Sequence, residues 1–367
     1  MKKILIVCTT DSMIFNFLIP HIQKLKDMNF EVECACSKTG YYFDELSDKY
    51  NIVMHEIPFE RSPYKARNFT AYKSLCRLVR FGGHNTIFCH EPIGGVMGRA
   101  VGHKYGCKVV YMAHGFHFFK GASKTNWIIY YTAEKLFSRF TDVLITINKE
   151  DYNASLGMKA KENIKINGIG IDTKKFILNR NPDYLRKELN LTENDIIVLS
   201  VGELIERKNH LTVIKAIKKL ENRKVHYVIA GEGELLQKLQ EETQKMDLSA
   251  QIHFLGYRKD INKICNSADI FVMPSVHEGL SVALMEAMAC GLPVIASEIR
   301  GNTDLIDNEK GGLLVETFGA DGYAEAIKRM LNDSRLLSEY GSYNINRVKD
   351  FDIDFVMNQC EKIYKNF

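Results

Sequence analysis

The sequence has no apolar run approaching the ~20 residues that a membrane-spanning helix requires. Nor does it open on a recognisable leader. Met1-Lys2-Lys3 and the apolar Ile4–Cys8 are too short for one and break at once into Thr9-Thr10-Asp11. That start reads as a first buried strand. The 9 cysteines form no framework: the closest pair is Cys34 and Cys36, and no CxxC or zinc spacing occurs. An odd, scattered set points to reduced thiols in a cytoplasm. No G-x-G-x-x-G separates the first strand from the first helix, which disfavours a nicotinamide oxidoreductase. No nucleic-acid-binding motif is visible either.

What is present is ordinary for a soluble globular protein: 46% apolar and 26% charged residues over 367 positions, enough for about two domains. The charge is unevenly spread. Residues 1–170 hold 23 Lys+Arg against 15 Asp+Glu, a balance of +8, and the remainder carries −4. A basic first half suits an anionic partner, such as an anionic lipid surface or a lipid-diphosphate acceptor.

Short apolar runs alternate with helix-length polar segments. The first series is Ile4–Cys8, Val32–Cys36, Ile52–Ile57, Thr86–Cys89, Val109–Ala113 and Val143–Ile147. The second is Ile196–Val201, Val225–Ala230, Ile252–Leu255, Ile270–Met273, Val294–Ala296 and Leu313–Val315. This alternation predicts two tandem, doubly wound, Rossmann-like α/β units. Asn167-Gly168-Ile169-Gly170-Ile171-Asp172, rich in turn formers, reads as the linker. In open parallel sheets, ligands sit beyond the carboxyl ends of the strands. The residues singled out below all fall at such ends.

The most informative stretch runs from Ser275 to Gly301. Pro274 stops the strand ahead of it. A helix is expected over Ser281–Cys290, with Gly291-Leu292-Pro293 as its stop signal. Glu278 falls in the loop before that helix, and Glu286, after seven intervening residues, falls on it. Gly279 permits close approach of backbone to a ligand, and the amides of Leu280 and Ser281 at the helix start suit a phosphate. Two carboxylates so placed could grip hydroxyl groups at two ends of one nucleotide sugar.

Pro274-Ser275, Glu278-Gly279 and Glu286-Ala287-Met288-Ala289 together resemble the E-x7-E signature of retaining GT-B glycosyltransferases, family four. The resemblance covers nearly the whole chain. It implies a GT-B fold in which two Rossmann-like domains face each other across a cleft. Residues 1–170 would bind the acceptor and 171–350 the donor, with a helical tail, 351–367, crossing back onto the first domain. By the same resemblance Glu286 would hold the donor ribose, Glu278 the transferred sugar, and Leu280 and Ser281 the diphosphate.

Other matches fill in the site. Lys208 stands where the family has a phosphate-binding lysine. Glu203 occupies the usual arginine position, leaving Arg207 or Arg300 to replace that cation, and Arg207 is favoured because it adjoins Lys208. Gly231-Glu232-Gly233-Glu234 matches a family turn that serves mainly as helix entry, and Arg258 falls in the turn that cradles the base. His114 matches a histidine that reaches the sugar near its reacting carbon, with His117 a second candidate. The first loop, Thr9-Thr10-Asp11-Ser12, lacks the family's glycine pair.

Gly115-Phe116-His117-Phe118, His90-Glu91-Pro92-Ile93-Gly94-Gly95 and Thr146–Tyr152 resemble enzymes of bacterial exopolysaccharide and capsule assembly. The expected activity is transfer of a hexose or N-acetylhexosamine from a UDP-sugar to a polyprenyl-diphosphate-linked saccharide. No metal or other cofactor is expected, because cations and helix amides stabilise the departing diphosphate. A nucleotide-sugar epimerase and a non-catalytic sugar-nucleotide-binding subunit are the rival readings. The expected location is cytoplasmic, peripheral on the inner face of the plasma membrane. Two segments could meet that surface. One is the basic stretch Arg61–Arg80. The other is Lys120–Arg139, which interleaves basic residues with Trp127 and other aromatic and apolar side chains.

Overall fold

Strands form where β-branched and apolar residues run together, and every pairing between them is parallel. The computed structural model describes residues 2–40, 42–316 and 319–367. Its chain divides into two units, Met1–Gly170 with Ile353–Phe367, and Ile171–Asp352.

The first unit contains β1 (Lys3–Thr10), β2 (Glu31–Ser37), β3 (Val53–Glu56), β4 (Thr86–His90), β5 (Lys108–Ala113), β6 (Val143–Thr146) and β7 (Glu162–Lys165). Their order in the sheet is β3-β2-β1-β4-β5-β6-β7. The second unit contains β8 (Ile196–Val201), β9 (Val225–Ala230), β10 (Ile252–Phe254), β11 (Ile270–Met273), β12 (Val294–Ser297) and β13 (Gly312–Val315). Their order is β10-β9-β8-β11-β12-β13. Both units are therefore doubly wound and Rossmann-like. In each, the winding reverses between the first strand and the fourth: Leu5 pairs with Ile87 across one reversal and Leu199 with Phe271 across the other. Loops leaving the two strands at such a point diverge to opposite faces and leave a crevice, where ligands of this fold class bind.

Each sheet is buried on both faces. In the first, Leu5, Val7, Ile87, Val109 and Leu144 pack against Leu75, Val79 and Val101 of the covering helices. In the second, Leu199, Phe271 and Ala296 pack on Leu284, Met285 and Met288, and the other face carries Val198, Tyr227 and Val272 against Ile214 and Ile327. Each fully buried Leu, Ile or Met contributes roughly 1.5–3 kcal/mol.

Several boundaries differ from the sequence expectation. β1 extends past Cys8 to Thr10, and β3 is shorter than Ile52–Ile57. β7 was not expected at all. Its sequence, Glu162-Asn163-Ile164-Lys165, has no apolar run, because it lies at the sheet edge. The tail is not one helix from Phe351. A 3₁₀ turn covers Val348–Phe351, and a helix follows at Ile353–Tyr364. That helix packs on the first unit: Lys24 meets Glu361 at 2.6 Å, Gln359 accepts from the Asn167 amide at 3.1 Å, and the Tyr364 hydroxyl bonds His21. Among the described residues no helix is long and apolar enough to cross a membrane.

Candidate active site

The helix after β11 is set by its sequence. Val282–Ala289, VALMEAMA, is apolar all round except for Glu286, and Leu284, Met285, Ala287, Met288 and Ala289 are buried. A helix of that composition belongs in a core, so its one carboxylate is a costly exception. The helix is shorter than the expected Ser281–Cys290. Ser281 is its N-cap, with the hydroxyl accepting from the Leu284 amide, and Gly291 at φ 74° ends it. Leu280 and Ser281 thus lie ahead of the helix, whose first residue is Val282.

Glu286 is half-buried. Among the described residues no group donates a hydrogen bond to its carboxylate. Burial pushes its pKa up to about 7, opposed only by the charge of Lys175. The ionised carboxylate is thus left without a hydrogen-bond donor among the described residues.

Glu278 is the opposite case. Its side chain is buried, and its Oε1 lies 2.7 Å from Lys208 Nζ and 2.8 Å from Arg207 Nη1. Burial raises the carboxyl pKa, but Lys208 and then Arg207 outweigh it and hold the group below its ordinary value. The two cations come from the single 3₁₀ turn Glu206–Lys208 after β8. More bonds join the two loops: the Val276 amide donates to the Arg207 carbonyl at 2.8 Å, and Asn209 Nδ2 to the Pro274 carbonyl at 3.2 Å. Because β8 and β11 flank the winding reversal, this carboxylate and its cations stand at the crevice.

A third loop holds Glu278 from behind. Buried Arg300 donates from Nε to the Glu278 carbonyl at 3.0 Å. Gly301, at φ 83°, packs so closely that a Cβ there would lie 2.5 Å from the Gly279 carbonyl oxygen. The close backbone approach at Gly279 is therefore to Gly301. Arg300 was a candidate for the missing cation, and its contact here is with the loop backbone. Glu203 is exposed, and its carbonyl lies 3.3 Å from His210 Nε2. Gly231 packs on the loop after β8, where a Cβ would lie 1.9 Å from the Gly202 carbonyl oxygen.

Arg258 is engaged within the protein. Nε and Nη2 contact Asp260 at 2.8 and 2.7 Å, and Nη1 pairs with Glu188, 70 residues away in the chain. The Arg258 guanidinium holds the Asp260 carboxyl well below the usual carboxylate range. A guanidinium so occupied anchors the turn after β10, and the sequence contains no local sign of the Glu188 contact.

His114 belongs to the first unit, just past β5. It is half-buried, and its Nε2 lies 3.0 Å from Nδ1 of His90, the last residue of β4. Burial, with the nearby His21, drives the His114 pKa down to about 3. His117 is exposed and lies against Tyr130. Glu91, which follows His90, takes φ 60° and ψ 164° and accepts from the Thr9 amide at 2.7 Å. That conformation is strained for a residue with a Cβ, and it fixes the loop after β4 to the end of β1. The sequence flagged the His90–Gly95 motif but assigned His90 and Glu91 no role.

Residues 3–148 match the family model described as glycosyl transferase 4-like, and residues 183–347 match glycosyl transferases group 1. The chain is 33% identical to EpsD of Bacillus subtilis (strain 168), over 93% of this chain and 90% of that protein. It is 30% identical to an Escherichia coli UDP-Gal:alpha-D-GlcNAc-diphosphoundecaprenol alpha-1,3-galactosyltransferase, over 93% of each. Among solved structures, Anabaena HepE in complex with UDP is similar over 100% of both chains, with a TM-score of 0.82 at 17% identity.

Proposed function

The chain belongs to the group 1 glycosyl transferases, and on that premise we propose that it moves a hexose or N-acetylhexosamine from a UDP-sugar to a polyprenyl-diphosphate-linked saccharide, with retention of configuration. The protein is a glycosyltransferase of GT-B fold. Its work lies in the assembly of polysaccharide or lipid-linked saccharide, as it does for the galactosyltransferase relative.

One observation carries the donor reading. Glu286 is a desolvated carboxylate without a hydrogen-bond donor among the described residues, on the helix that follows a carboxylate clamped by Arg207 and Lys208. A nucleoside diphosphate sugar supplies what both lack. Ribose hydroxyls donate to Glu286, the diphosphate takes Lys208 and Arg207, and sugar hydroxyls donate to Glu278. Charge developing on the leaving diphosphate is then met by two cations already in place. That arrangement supports metal-independent transfer, and the diphosphate itself helps to deprotonate the acceptor hydroxyl on the same face of the sugar. Gly279, Leu280 and Ser281 line this loop, and Arg258 holds the neighbouring turn.

The acceptor reading rests on the relatives and on surface charge. From Arg61 to His90 the sequence has six basic residues and no acidic one. The helix Arg67–Gly82 buries Ala71, Leu75 and Val79 and turns Lys73, Arg77 and Arg80 outward. Beside them Phe69 and Phe81 are 66% and 75% exposed. Basic and aromatic groups on one face suit an anionic leaflet. The protein acts there as a cytoplasmic, peripheral enzyme. Incubating it with radiolabelled UDP-sugars, with and without polyprenyl-diphosphate saccharide, tests the whole reading. Label should enter the lipid fraction only with acceptor present. Conversion of donor without acceptor would indicate an epimerase, and binding without any turnover a non-catalytic subunit.

A further inference from the structure

The contact between His90 and His114 fixes more than a distance. β4 and β5 pair His90 with Met112, so His114, two residues on, stands beside the end of β4. Nδ1 of His90 lies 3.0 Å from Nε2 of His114, with ring centroids 5.3 Å apart. Phe88 packs against the His90 ring at 4.3 Å, and buried His21, tied to the Tyr364 hydroxyl, stands close by. Burial keeps all three imidazoles uncharged at neutral pH. Each neutral ring carries one N–H and one bare nitrogen.

The remaining nitrogens settle which is which. Nε2 of His90 is buried with no partner among the described residues. An orphaned buried N–H is rarer and costlier than an orphaned acceptor, so this nitrogen is the bare one. The proton of His90 is then on Nδ1, which donates to Nε2 of His114. His114 must hold its own proton on Nδ1. That nitrogen has no partner among the described residues and is not sealed from solvent.

We propose that His90 is a positioning residue that locks His114 in the Nδ1–H tautomer, so that His114 presents a neutral hydrogen-bond donor, not a proton acceptor, to an oxygen of the substrate. This rests on the glycosyl-transfer reading for the nature of that oxygen, a sugar or phosphate oxygen. It assigns a role to the histidine of the His90–Gly95 motif, and it leaves His114 no bare nitrogen toward the substrate with which to act as a general base.

The test is long-range ¹H–¹⁵N correlation spectroscopy on ligand-free protein labelled with ¹⁵N-histidine, with His114 assigned from a His114→Gln variant. The expected spectrum at pH 7 shows His114 with a protonated Nδ1 and a bare Nε2. His90→Phe keeps an aromatic ring but has no donor. It should release His114 to a mixture of tautomers and lower kcat about tenfold or more, as loss of supporting partners does in other sites, with the donor KM little changed. His90→Asn, whose amide can donate from near the Nδ1 position, should restore the tautomer and most of the rate. An Nε2–H tautomer for His114 in the unmodified protein overturns the proposal, as does an unchanged tautomer in a folded His90→Phe. If His90→Phe does not fold, the unmodified protein's spectrum decides alone. The spectrum needs no substrate. A protein with the expected tautomer but no transferase activity would therefore sink the functional reading and leave this one standing.

Discussion

Lys208 Nζ lies 2.7 Å from Glu278 Oε1 and joins the loop after β8 to the loop after β11. The bond spans the strand pair at which the winding of the second sheet reverses. Arg207 shares the same oxygen at 2.8 Å. Without donor, the carboxylate occupies cations that a diphosphate would claim. On the proposed reading, a bound donor would draw the cations to its phosphates and release Glu278 toward sugar hydroxyls.

Replacing Glu278 by Gln separates these roles. Calorimetry should show uridine diphosphate binding as tightly as in the unmodified protein or more tightly, because the cations lose their competitor. Sugar transfer should fall by about 100-fold or more, on the scale of losing one preorganised partner of the reacting group. A parallel loss of nucleotide affinity would argue against the competition. The Glu278 pKa is depressed in the folded state, so its stabilising contribution is present above the unfolded value of 4.5 and fades as pH falls through the depressed one.

Glu286 should make nucleotide affinity depend on pH. On the proposed reading, ribose hydroxyls would donate to the ionised carboxylate, whose pKa burial pushes up to about 7 in the free protein. Affinity for uridine diphosphate should therefore rise between pH 6 and 8. Glu286→Gln should bind weakly and show none of that rise beyond what the phosphate itself contributes. The raised folded pKa also means that the ionised form weakens the fold. Stability is lost as pH climbs from 4.5 through about 7, up to about 3 kcal/mol in full. Glu286→Gln should thus melt higher than the unmodified protein at pH 8 and differ little at pH 4.5. Identical melting shifts at both pH values would contradict the assignment.

Transfer should survive chelator. On the proposed reading, Arg207 and Lys208, paired with Glu278 in the free protein, would supply the positive field that a divalent ion supplies elsewhere. Abolition of activity by EDTA, with recovery on adding manganese, would refute this.

The helix Arg67–Gly82 should carry membrane binding. Reversing Lys73, Arg77 and Arg80 to glutamate changes three exposed charges in a stretch of sequence, Arg61–His90, without acidic residues. Each contributes ~1 kcal/mol near an anionic leaflet. The variant should stay in the supernatant when phosphatidylglycerol liposomes are pelleted, while uridine diphosphate affinity is unaffected. Co-sedimentation at low salt as strong as that of the unmodified protein would move the docking face elsewhere. The segment containing Trp127, 41% exposed, and Ile128, 70% exposed, is the next to test.

Much of this was legible in the sequence because the relevant signals are local. Ile196–Val201, Val225–Ala230 and Ile270–Met273 are apolar runs bounded by turn residues, and they are β8, β9 and β11 to the residue. Glu286 stands out because it interrupts an apolar helix. The rest depends on contacts between distant residues. Nothing near Arg258 announces Glu188, and nothing near His114 announces the nitrogen of His90, because strand pairing creates that contact. The positive φ of Glu91 leaves no mark in composition. The sequence also placed Arg207 and Lys208 beside each other but did not show that both would close on Glu278.

The central claim is transfer from a uridine diphosphate sugar to a lipid-linked acceptor with the sugar's configuration kept. Its most direct measurement is NMR of the anomeric linkage in product made from a radiolabelled panel of UDP-hexoses and UDP-N-acetylhexosamines on polyprenyl-diphosphate saccharide. The account predicts one productive donor, label in the lipid product, an α linkage from an α-linked donor, and loss of that product in Glu278→Gln. A β linkage, or no lipid product from any uridine donor in the panel, would contradict it.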